Sequence, residues 1–310
     1  MSESVSLRGR TARRFVKVAN HLPVIGNMNL NGELQNLRSD REREWRCPEH
    51  LIRTVMETDD FGMELLSRTE NYLSNCERKA ILQLHGGGYY GRMHNTYRDA
   101  AAMYIEVSGG ADVLTPDYRV APENPYPAAL EDALEAYFWL IEQDYRSENI
   151  VIAGDSAGGG LTLALSLYLR DHHMPMPGGI ITMSAWTDLT KSGDSYQENF
   201  DSDPIFGGTR NTLVYKEGYY KDHDPMDPYI SPVNGDYRGF PPMLMQVGEQ
   251  EMLLSDTLSV AQRARFAGGR IRCHVYPGMF HIFQMGFTLY PEAKEAWGEI
   301  ARFLKVIWQK

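Results

Sequence analysis

The sequence has few cysteines and no long apolar run. Its 310 residues include three cysteines, Cys47, Cys76 and Cys273, which are widely spaced and form no C-x-x-C pair. Three scattered cysteines argue against a disulfide framework and against a thiolate metal site. No stretch of roughly 18 apolar residues suits a membrane-spanning helix, and residues 1–20 lack the apolar core of a signal peptide. We therefore expect a cytoplasmic protein with reduced thiols.

The sequence also has fewer basic than acidic residues. The 31 lysines and arginines face 41 acidic residues, which gives a formal net charge of −10. An acidic protein repels the phosphates of nucleic acids and the headgroups of anionic lipids, so neither is expected as a partner. The basic stretch 10–18 mixes arginine and lysine with apolar residues. Because it lacks a wide apolar face, we interpret it as a helix that packs on its own protein.

The sequence also lacks a metal-binding pattern and internal repeats. His172 and His173 are adjacent, so their side chains point apart on a helix, and no third ligand is close in sequence. The chain contains neither an internal repeat nor a low-complexity tract. We therefore expect no metal site. With 43% hydrophobic residues, the chain is nevertheless long and apolar enough to bury one large core.

Short apolar runs alternate with helical segments over most of the chain. Residues 53–57 and 63–68 predict a hairpin at the edge of a sheet. Further strand-like runs occur at 80–84, 112–115, 150–153, 179–184, 243–247 and 272–276, and helical spacing occurs at 100–108, 128–143, 159–171, 255–267 and 292–308. This order predicts an α/β fold with a mainly parallel eight-stranded sheet flanked by helices.

Two segments interrupt this alternation. Residues 1–49 are mixed in charge, and residues 191–240 contain many Asp, Gly and Tyr residues. We predict that the two segments form a cap over the body of the fold. The main α/β domain then comprises residues 50–190 and 241–310, because α/β chains of this length often form a single body with insertions.

The most informative motif directly follows the apolar run 149–153. Residues 154–159 read Gly-Asp-Ser-Ala-Gly-Gly and precede a helix-favouring segment. A strand, a sharp turn and a helix with a serine at the turn are typical of the G-x-S-x-G nucleophile elbow, which makes Ser156 the candidate nucleophile. Gly154 and Gly158 are expected at positions where neighbouring backbones leave no room for a Cβ. At the head of a helix, Ser156 lies where a developing negative charge is favoured.

A second glycine-rich segment follows the apolar run 80–84. Residues 85–88 read His-Gly-Gly-Gly, a loop that supplies backbone N–H donors to an oxyanion in lipase-like enzymes. We predict that Gly86, Gly87 and Ala157 donate to the oxyanion. The residues expected to support this arrangement are His85, Gly88, Asp155, Gly154 and Gly158.

A third segment, residues 117–132, matches the pattern D-Y-R-x-A-P-E-x-P-Y-P-A-A-x-x-D. With the three motifs in this order, the chain closely resembles the hormone-sensitive-lipase family of α/β-hydrolases from about residue 79 onward. The segment 224–232 is similar to that family's D-P-x-D-P-x-x-S-P stretch. The resemblance implies an α/β-hydrolase fold with a helical cap and a serine carboxylesterase that works without a cofactor.

The base and the acid must follow the nucleophile, because α/β-hydrolases have the chain order Ser, acid, His. His281 lies in a Y-x-G-x-x-H-x-F motif after the last apolar run and is the predicted base. Where the family usually has D-P-L, this chain has Glu251-Met-Leu, so the resemblance implies Glu251 as the acid. A glutamate can orient an imidazole as an aspartate does. Glu249 and Asp256 remain alternatives.

Aromatic residues are expected to wall a small substrate pocket. The candidates are Tyr89, Tyr90, Trp186, Phe206, Tyr215 and Tyr219. The resemblance implies short acyl chains, from about acetyl to hexanoyl. An acetyl esterase for acetylated sugars and an amidase or lactonase are alternatives, whereas a receptor like those for gibberellin is disfavoured because His281 is present. A small-molecule ester is the expected partner, and a homodimer is left open.

Overall fold

The computed structural model describes residues 5–20, 44–70, 73–74, 76–209 and 212–309. The predicted cap segment 1–49 therefore lies partly outside the described residues, as do positions 210 and 211 of the second cap segment. The strands are β1 (Leu51–Glu57), β2 (Gly62–Arg68), β3 (Ala80–Leu84), β4 (Asp112–Asp117), β5 (Ile150–Asp155), β6 (Gly179–Met183), β7 (Met243–Gly248) and β8 (Ile271–Tyr276). The helices are α1 (Leu7–Asn20), α2 (Asn95–Ser108), α3 (Ala128–Glu142), α4 (Ser156–Asp171), α5 (Ser195–Glu198), α6 (Leu254–Phe266) and α7 (Pro291–Trp308).

The eight strands form one sheet in the order β1-β2-β4-β3-β5-β6-β7-β8. Strands β1 and β2 pair as an antiparallel hairpin at the edge, and β2 is also antiparallel to β4. All other neighbouring strands are parallel. The predicted mainly parallel eight-stranded sheet is thus confirmed.

Helices cover both faces of the sheet, and the strand sequences explain why. In β5, Ile150 and Ile152 pack with α3 and α4, whereas Val151 and Ala153 face α2 and α7. Successive side chains of a strand point to opposite faces, so a strand that is buried on both faces needs a continuous apolar run. Such runs were visible in the sequence for this reason.

Helix α2 begins five residues earlier than its apolar spacing predicts. The side chain of His94 accepts a hydrogen bond from the Thr96 N–H and caps the helix, and Gly109 ends it with a left-handed backbone at φ +80°. The first turn is polar, so apolar periodicity carries no signal there. A histidine is also not among the usual capping residues.

The described parts of the two predicted cap segments differ in structure. Helix α1 packs against α7 and the segment before His281: Ser6 bonds to Glu292, and Arg13 donates to the Gly278 carbonyl. The segment 191–240 contains the four-residue helix α5, short 3-10 turns and irregular chain. The division into domains stays a prediction. Across the described ranges, every helix is too short or too polar to cross a bilayer.

Glu64 on β2 joins the edge hairpin to α2. Its carboxylate accepts hydrogen bonds from Arg53 on β1 and from Arg98 on α2, with the Nε atoms at 2.8 and 2.9 Å from Oε2. Burial favours the neutral carboxyl, but the hydrogen bonds from the two arginines outweigh it and lower the pKa of Glu64. A lowered carboxyl pKa stabilises the folded state above the unfolded pKa of about 4.3, and this stabilisation is lost as the pH falls through the folded pKa.

We predict that Glu64→Gln lowers the free energy of unfolding by about 1–3 kcal/mol at pH 7, because two charge-assisted contacts are weakened. The loss should shrink as the pH falls below about 4.3 and through the lowered folded pKa of Glu64, because the wild-type carboxyl then becomes protonated as well. Urea unfolding across this pH range measures both effects. Glu57→Gln, an exposed change on β1, is the matched control and should leave stability within about 0.5 kcal/mol. A loss of stability that is the same at every pH would contradict the role of the Glu64 charge.

Candidate active site

Ser156 lies at the sharp turn between β5 and α4 with a left-handed backbone at φ +52°. A non-glycine residue in this region carries about 1–3 kcal/mol of strain that the surroundings must hold. A Cβ on Gly154 would overlap the carbonyl of Gly158, and a Cβ on Gly158 would overlap the carbonyls of Leu84 and His85. The predicted need for glycine at both positions is confirmed.

A continuous chain of hydrogen bonds leads away from Ser156. Its Oγ lies 2.9 Å from His281 Nε2, and His281 Nδ1 lies 3.0 Å from Glu251 Oε2. A carboxylate oxygen only accepts hydrogen bonds, so the Nδ1 atom carries the proton. Nε2 is then the acceptor for the serine hydroxyl. All three residues are at most 6% exposed, so the chain is shielded from water.

The two alternative carboxylates have other partners. Glu249 accepts a hydrogen bond from the Gly278 N–H. Asp256 accepts the backbone N–H groups of Thr187 and Asp188 after β6. Burial raises the pKa of the Asp256 carboxyl well above its ordinary value. Of the three carboxylates, Glu251 is the one hydrogen-bonded to His281.

The loop 85–88 lies against the nucleophile, but one predicted oxyanion donor is directed elsewhere. A Cβ on Gly86 would lie 3.1 Å from the Ser156 Cβ, so the loop and the elbow are in contact. The Gly86 N–H, however, donates to Asp155 Oδ1 at 3.2 Å. The prediction of Gly86 as an oxyanion donor is therefore wrong for this structure, because the buried carboxylate beneath the loop already binds that N–H.

Three other backbone N–H groups near Ser156 lack such a partner. Gly87 and Gly88 have left-handed backbones at φ +114° and +65°, and their N–H groups donate to no acceptor within the described part of the chain. Ala157 is in the first turn of α4, where N–H groups have no acceptor inside the helix. Gly88, expected only as a support, thus joins Gly87 and Ala157 as a free donor.

The expected supporting residues lie beneath the loop. His85 stacks on Tyr118 with ring centroids 4.0 Å apart, and the Tyr118 hydroxyl donates to the His85 carbonyl at 2.5 Å. Nδ1 of His85 donates to the Gly86 carbonyl at 2.8 Å, and burial lowers the His85 pKa. Burial also raises the pKa of Asp155 to about 7, although the Gly86 N–H and the Tyr97 hydroxyl favour its charged form.

Two buried residues at the site were not predicted from the sequence. Ser184, directly after β6, donates its hydroxyl to Glu251 Oε1 at 2.7 Å. Asp203 accepts the N–H groups of Phe206 and Met252, and so joins the cap segment to the residue after Glu251. Both are single polar residues without a motif, and apolar spacing gives no signal for them. Burial raises the pKa of Asp203.

The predicted pocket aromatics separate into two groups. Tyr89, Trp186 and Tyr219 are each 1% exposed, and Tyr89 stacks on Tyr219 with centroids 3.6 Å apart. These three rings are interior packing residues in this structure. Phe206 lies against the catalytic candidate His281 with ring centroids 4.6 Å apart. The Lys216 side chain lies over the Tyr90 ring. Tyr215 is half-buried and packs against the hydrophobic core that contains Tyr90. Their roles toward substrate stay predictions.

The described residues contain no group of three or more His, Cys, Asp or Glu side chains that could hold a metal ion. His172 instead stacks on Tyr168 and bonds to its carbonyl.

Comparisons with known proteins agree with this architecture. A family model described as alpha/beta hydrolase fold matches residues 81–285. An esterase of Acinetobacter venetianus is 36% identical over 72% of this chain and 73% of its own. An acetyl-hydrolase of Streptomyces hygroscopicus is also 36% identical, over 73% of this chain and 75% of its own. The crystal structure of an esterase from the bacterial hormone-sensitive lipase family superposes with a TM-score of 0.86 at 28% identity, covering 99% of this chain and all of the other.

The close approach at the elbow gives a direct test. Gly158→Ala should lower the free energy of unfolding by at least about 1–3 kcal/mol, because the added methyl group meets backbone carbonyls that cannot rotate away. Gly298→Ala on α7 is the matched control: only the end of the Arg302 side chain is near. Alanine there should gain about 0.5–1 kcal/mol from helix propensity. Thermal or urea unfolding measures the stability of both variants. An equal change in the free energy of unfolding at the two positions would contradict the prediction.

Proposed function

Since the chain is a carboxylic ester hydrolase of the hormone-sensitive-lipase family of α/β-hydrolases, we propose that it cleaves short-chain acyl esters through an acyl-enzyme on Ser156. The observation that carries this proposal is the hydrogen-bond chain from Ser156 through His281 to Glu251. A serine hydroxyl becomes nucleophilic when an adjacent base takes its proton and a third group orients that base. Ser156, His281 and Glu251 are the residues we assign to these three roles.

In the acylation step, Ser156 Oγ attacks the ester carbonyl carbon while its proton passes to His281 Nε2. The Glu251 carboxylate stabilises the imidazolium through the Nδ1–H. The carbonyl oxygen becomes an oxyanion, which we assign to the free N–H groups of Gly87, Gly88 and Ala157. In serine hydrolases the loss of one such donor typically costs about 2.7–4 kcal/mol of transition-state stabilisation.

The tetrahedral intermediate then collapses with cleavage of the bond between the carbonyl carbon and the alcohol oxygen. His281 returns its proton to the leaving alcohol. In the deacylation step, water gives a proton to His281 and attacks the acyl-enzyme. The carboxylic acid leaves as the proton returns to Ser156 Oγ, which restores the starting state.

A preference for short acyl groups is supported by the surroundings of His281. The Phe206 ring lies directly against the imidazole, and Asp203 holds the backbone of Phe206. A rigid aromatic wall at this distance limits the length of an acyl chain. Each buried methylene gains about 0.8 kcal/mol until the pocket is full, after which further carbons stay in water or clash. The acetyl-hydrolase among the relatives is consistent with the short end of this range.

Ser156→Ala tests the function itself. We expect kcat for p-nitrophenyl butyrate to fall at least about 10⁴-fold, because the hydroxyl that bonds to His281 Nε2 is removed. A fluorophosphonate probe should label the wild type at Ser156 and leave the variant unlabelled. Circular dichroism controls for folding. Retention of more than a few per cent of the activity would refute Ser156 as the nucleophile.

The acid is tested by a pair of isosteric changes. Glu251→Gln should lower kcat by about 10³- to 10⁴-fold, because an amide no longer stabilises the imidazolium or fixes its tautomer. Glu249→Gln should stay within a few-fold of the wild type, since glutamine can still accept the Gly278 N–H. Steady-state kinetics on both variants decide the assignment, and a reversed ranking would move the acid role to Glu249.

The acyl range is tested with p-nitrophenyl esters, in which the leaving group is constant and only the acyl chain varies. Activity should peak between about two and six carbons and fall more than tenfold at about ten carbons. Acetylated sugars, anilides and lactones should be assayed in parallel, because faster turnover of one of these classes would redefine the substrate. Hydrolysis of dodecanoyl esters at the butyrate rate would overturn the short-chain proposal.

A further inference from the structure

Ser184 lies between the two residues that we assign as acid and base. Its side chain is fully buried, and its backbone is left-handed at φ +51° directly after β6. The hydroxyl oxygen is 2.7 Å from Glu251 Oε1 and 3.0 Å from the backbone nitrogen of Ile282, the residue after His281. We propose that Ser184 is a positioning residue that holds the Glu251 carboxylate and the His281 segment in their reactive arrangement. This inference rests on the proposed function.

The directions of the two hydrogen bonds are fixed by chemistry. The Ile282 N–H can only donate, so Ser184 Oγ is its acceptor. The carboxylate of Glu251 can only accept, so the Ser184 hydroxyl proton points to Oε1. One hydroxyl therefore connects the acid to the backbone of the segment that carries the base. The Ser184 N–H is itself bonded to the Gln246 carbonyl on β7 at 2.7 Å, which anchors Ser184 to the sheet.

A glutamate in the acid position makes this connection more important than an aspartate would. Its side chain has one more rotatable bond, so an unrestrained carboxylate has more orientations that do not face the imidazole. Here Oε1 accepts from both Ser184 and the Gly248 N–H, and Oε2 remains for His281. The two donors thereby fix which oxygen faces the base.

The strained backbones near the site are consistent with this role. Ser184 and Ile282 both have positive φ angles, at +51° and +48°. Positive φ is rare for a β-branched residue such as isoleucine, and such strain persists only where the surroundings hold it. The hydrogen bond between these two residues is one of the contacts that hold it.

Loss of the Ser184 hydroxyl should change the charge balance at the acid as well as its position. Without this donor, more negative charge stays on the carboxylate that faces the imidazolium, so the protonated form of His281 is favoured. Among the described residues, Asp155, before Ser156, and Asp203, in the segment 191–240, also act electrostatically on His281. Ser184→Ala leaves both of these side chains in place.

The experiment measures kcat, KM and the pH profile of Ser184→Ala against the wild type. We expect kcat to fall about 10- to 100-fold, which corresponds to one hydrogen bond to a charged group, while KM stays within about twofold. The acid limb of kcat/KM should move to higher pH. Ser166→Ala is the matched control, because Ser166 is fully buried on α4 and bonds to the Thr162 carbonyl. It should leave kcat and the pH profile unchanged.

A double-mutant cycle separates positioning from a general effect on folding. In a Glu251→Gln background, Ser184→Ala should lower kcat less than about twofold further, because its target is already lost. Three outcomes would each overturn the proposal: an equal loss of kcat in both backgrounds, an acid limb of kcat/KM that does not move, or a kcat of the single variant Ser184→Ala within twofold of the wild type. Ser184→Cys keeps a weak hydrogen-bond donor, so its kcat should lie between those of the wild type and Ser184→Ala. This variant provides the test if Ser184→Ala does not fold. Wild-type kcat in that cysteine variant would also overturn the proposal.

The two proposals fail in different ways. If Ser156→Ala keeps its activity, the function proposed above is wrong whatever Ser184 does. If Ser156→Ala and Glu251→Gln are inactive while Ser184→Ala is normal, only the positioning role is wrong.

Discussion

The structure of the site depends on the contact between two backbones at the nucleophile elbow. Gly158, in the first turn of α4, lies so close to the carbonyls of Leu84 and His85 that no side chain fits. This contact joins the end of β3 to the end of β5, which are neighbours in the sheet. It therefore brings the loop 85–88, with its free N–H groups, beside Ser156. Without that approach, the proposed nucleophile and the proposed oxyanion donors would belong to separate parts of the surface.

The parallel sheet brings together the residues of the proposed site. Ser156, Ser184, Glu251 and His281 each follow the carboxyl end of a different strand, from β5 to β8 in order. Parallel strands end at the same edge, so residues far apart in sequence meet there. Only short side chains and short loops are then needed to complete the hydrogen-bond chain. Asp203 joins the predicted cap segment 191–240 to this edge through its bonds to Phe206 and Met252.

The sequence predicted those features whose cause is local. The elbow, the glycine loop and the apolar strands were readable because turn geometry and burial on both faces restrict residue type along a short stretch. The role of the Gly86 N–H was predicted wrongly, because it depends on where the Asp155 carboxylate lies in the folded chain. Ser184 was missed for the same reason: its partners are 67 and 98 positions away. The start of α2 was missed because a histidine caps it.

The close packing of α4 contrasts with the looser attachment of the segment 191–240. The first twelve residues of α4 are buried, and Gly159 and Gly160 press on the chain at Ala185 and Trp186. A side chain added at either glycine would displace the chain after β6 or the helix that carries Ser156, so these two positions tolerate little change. The segment 191–240 contacts His281 through the Phe206 ring and is joined to Met252 by a hydrogen bond to Asp203. Substitutions in the segment 191–240 can therefore change the surroundings of His281 while the backbone geometry of the elbow is kept.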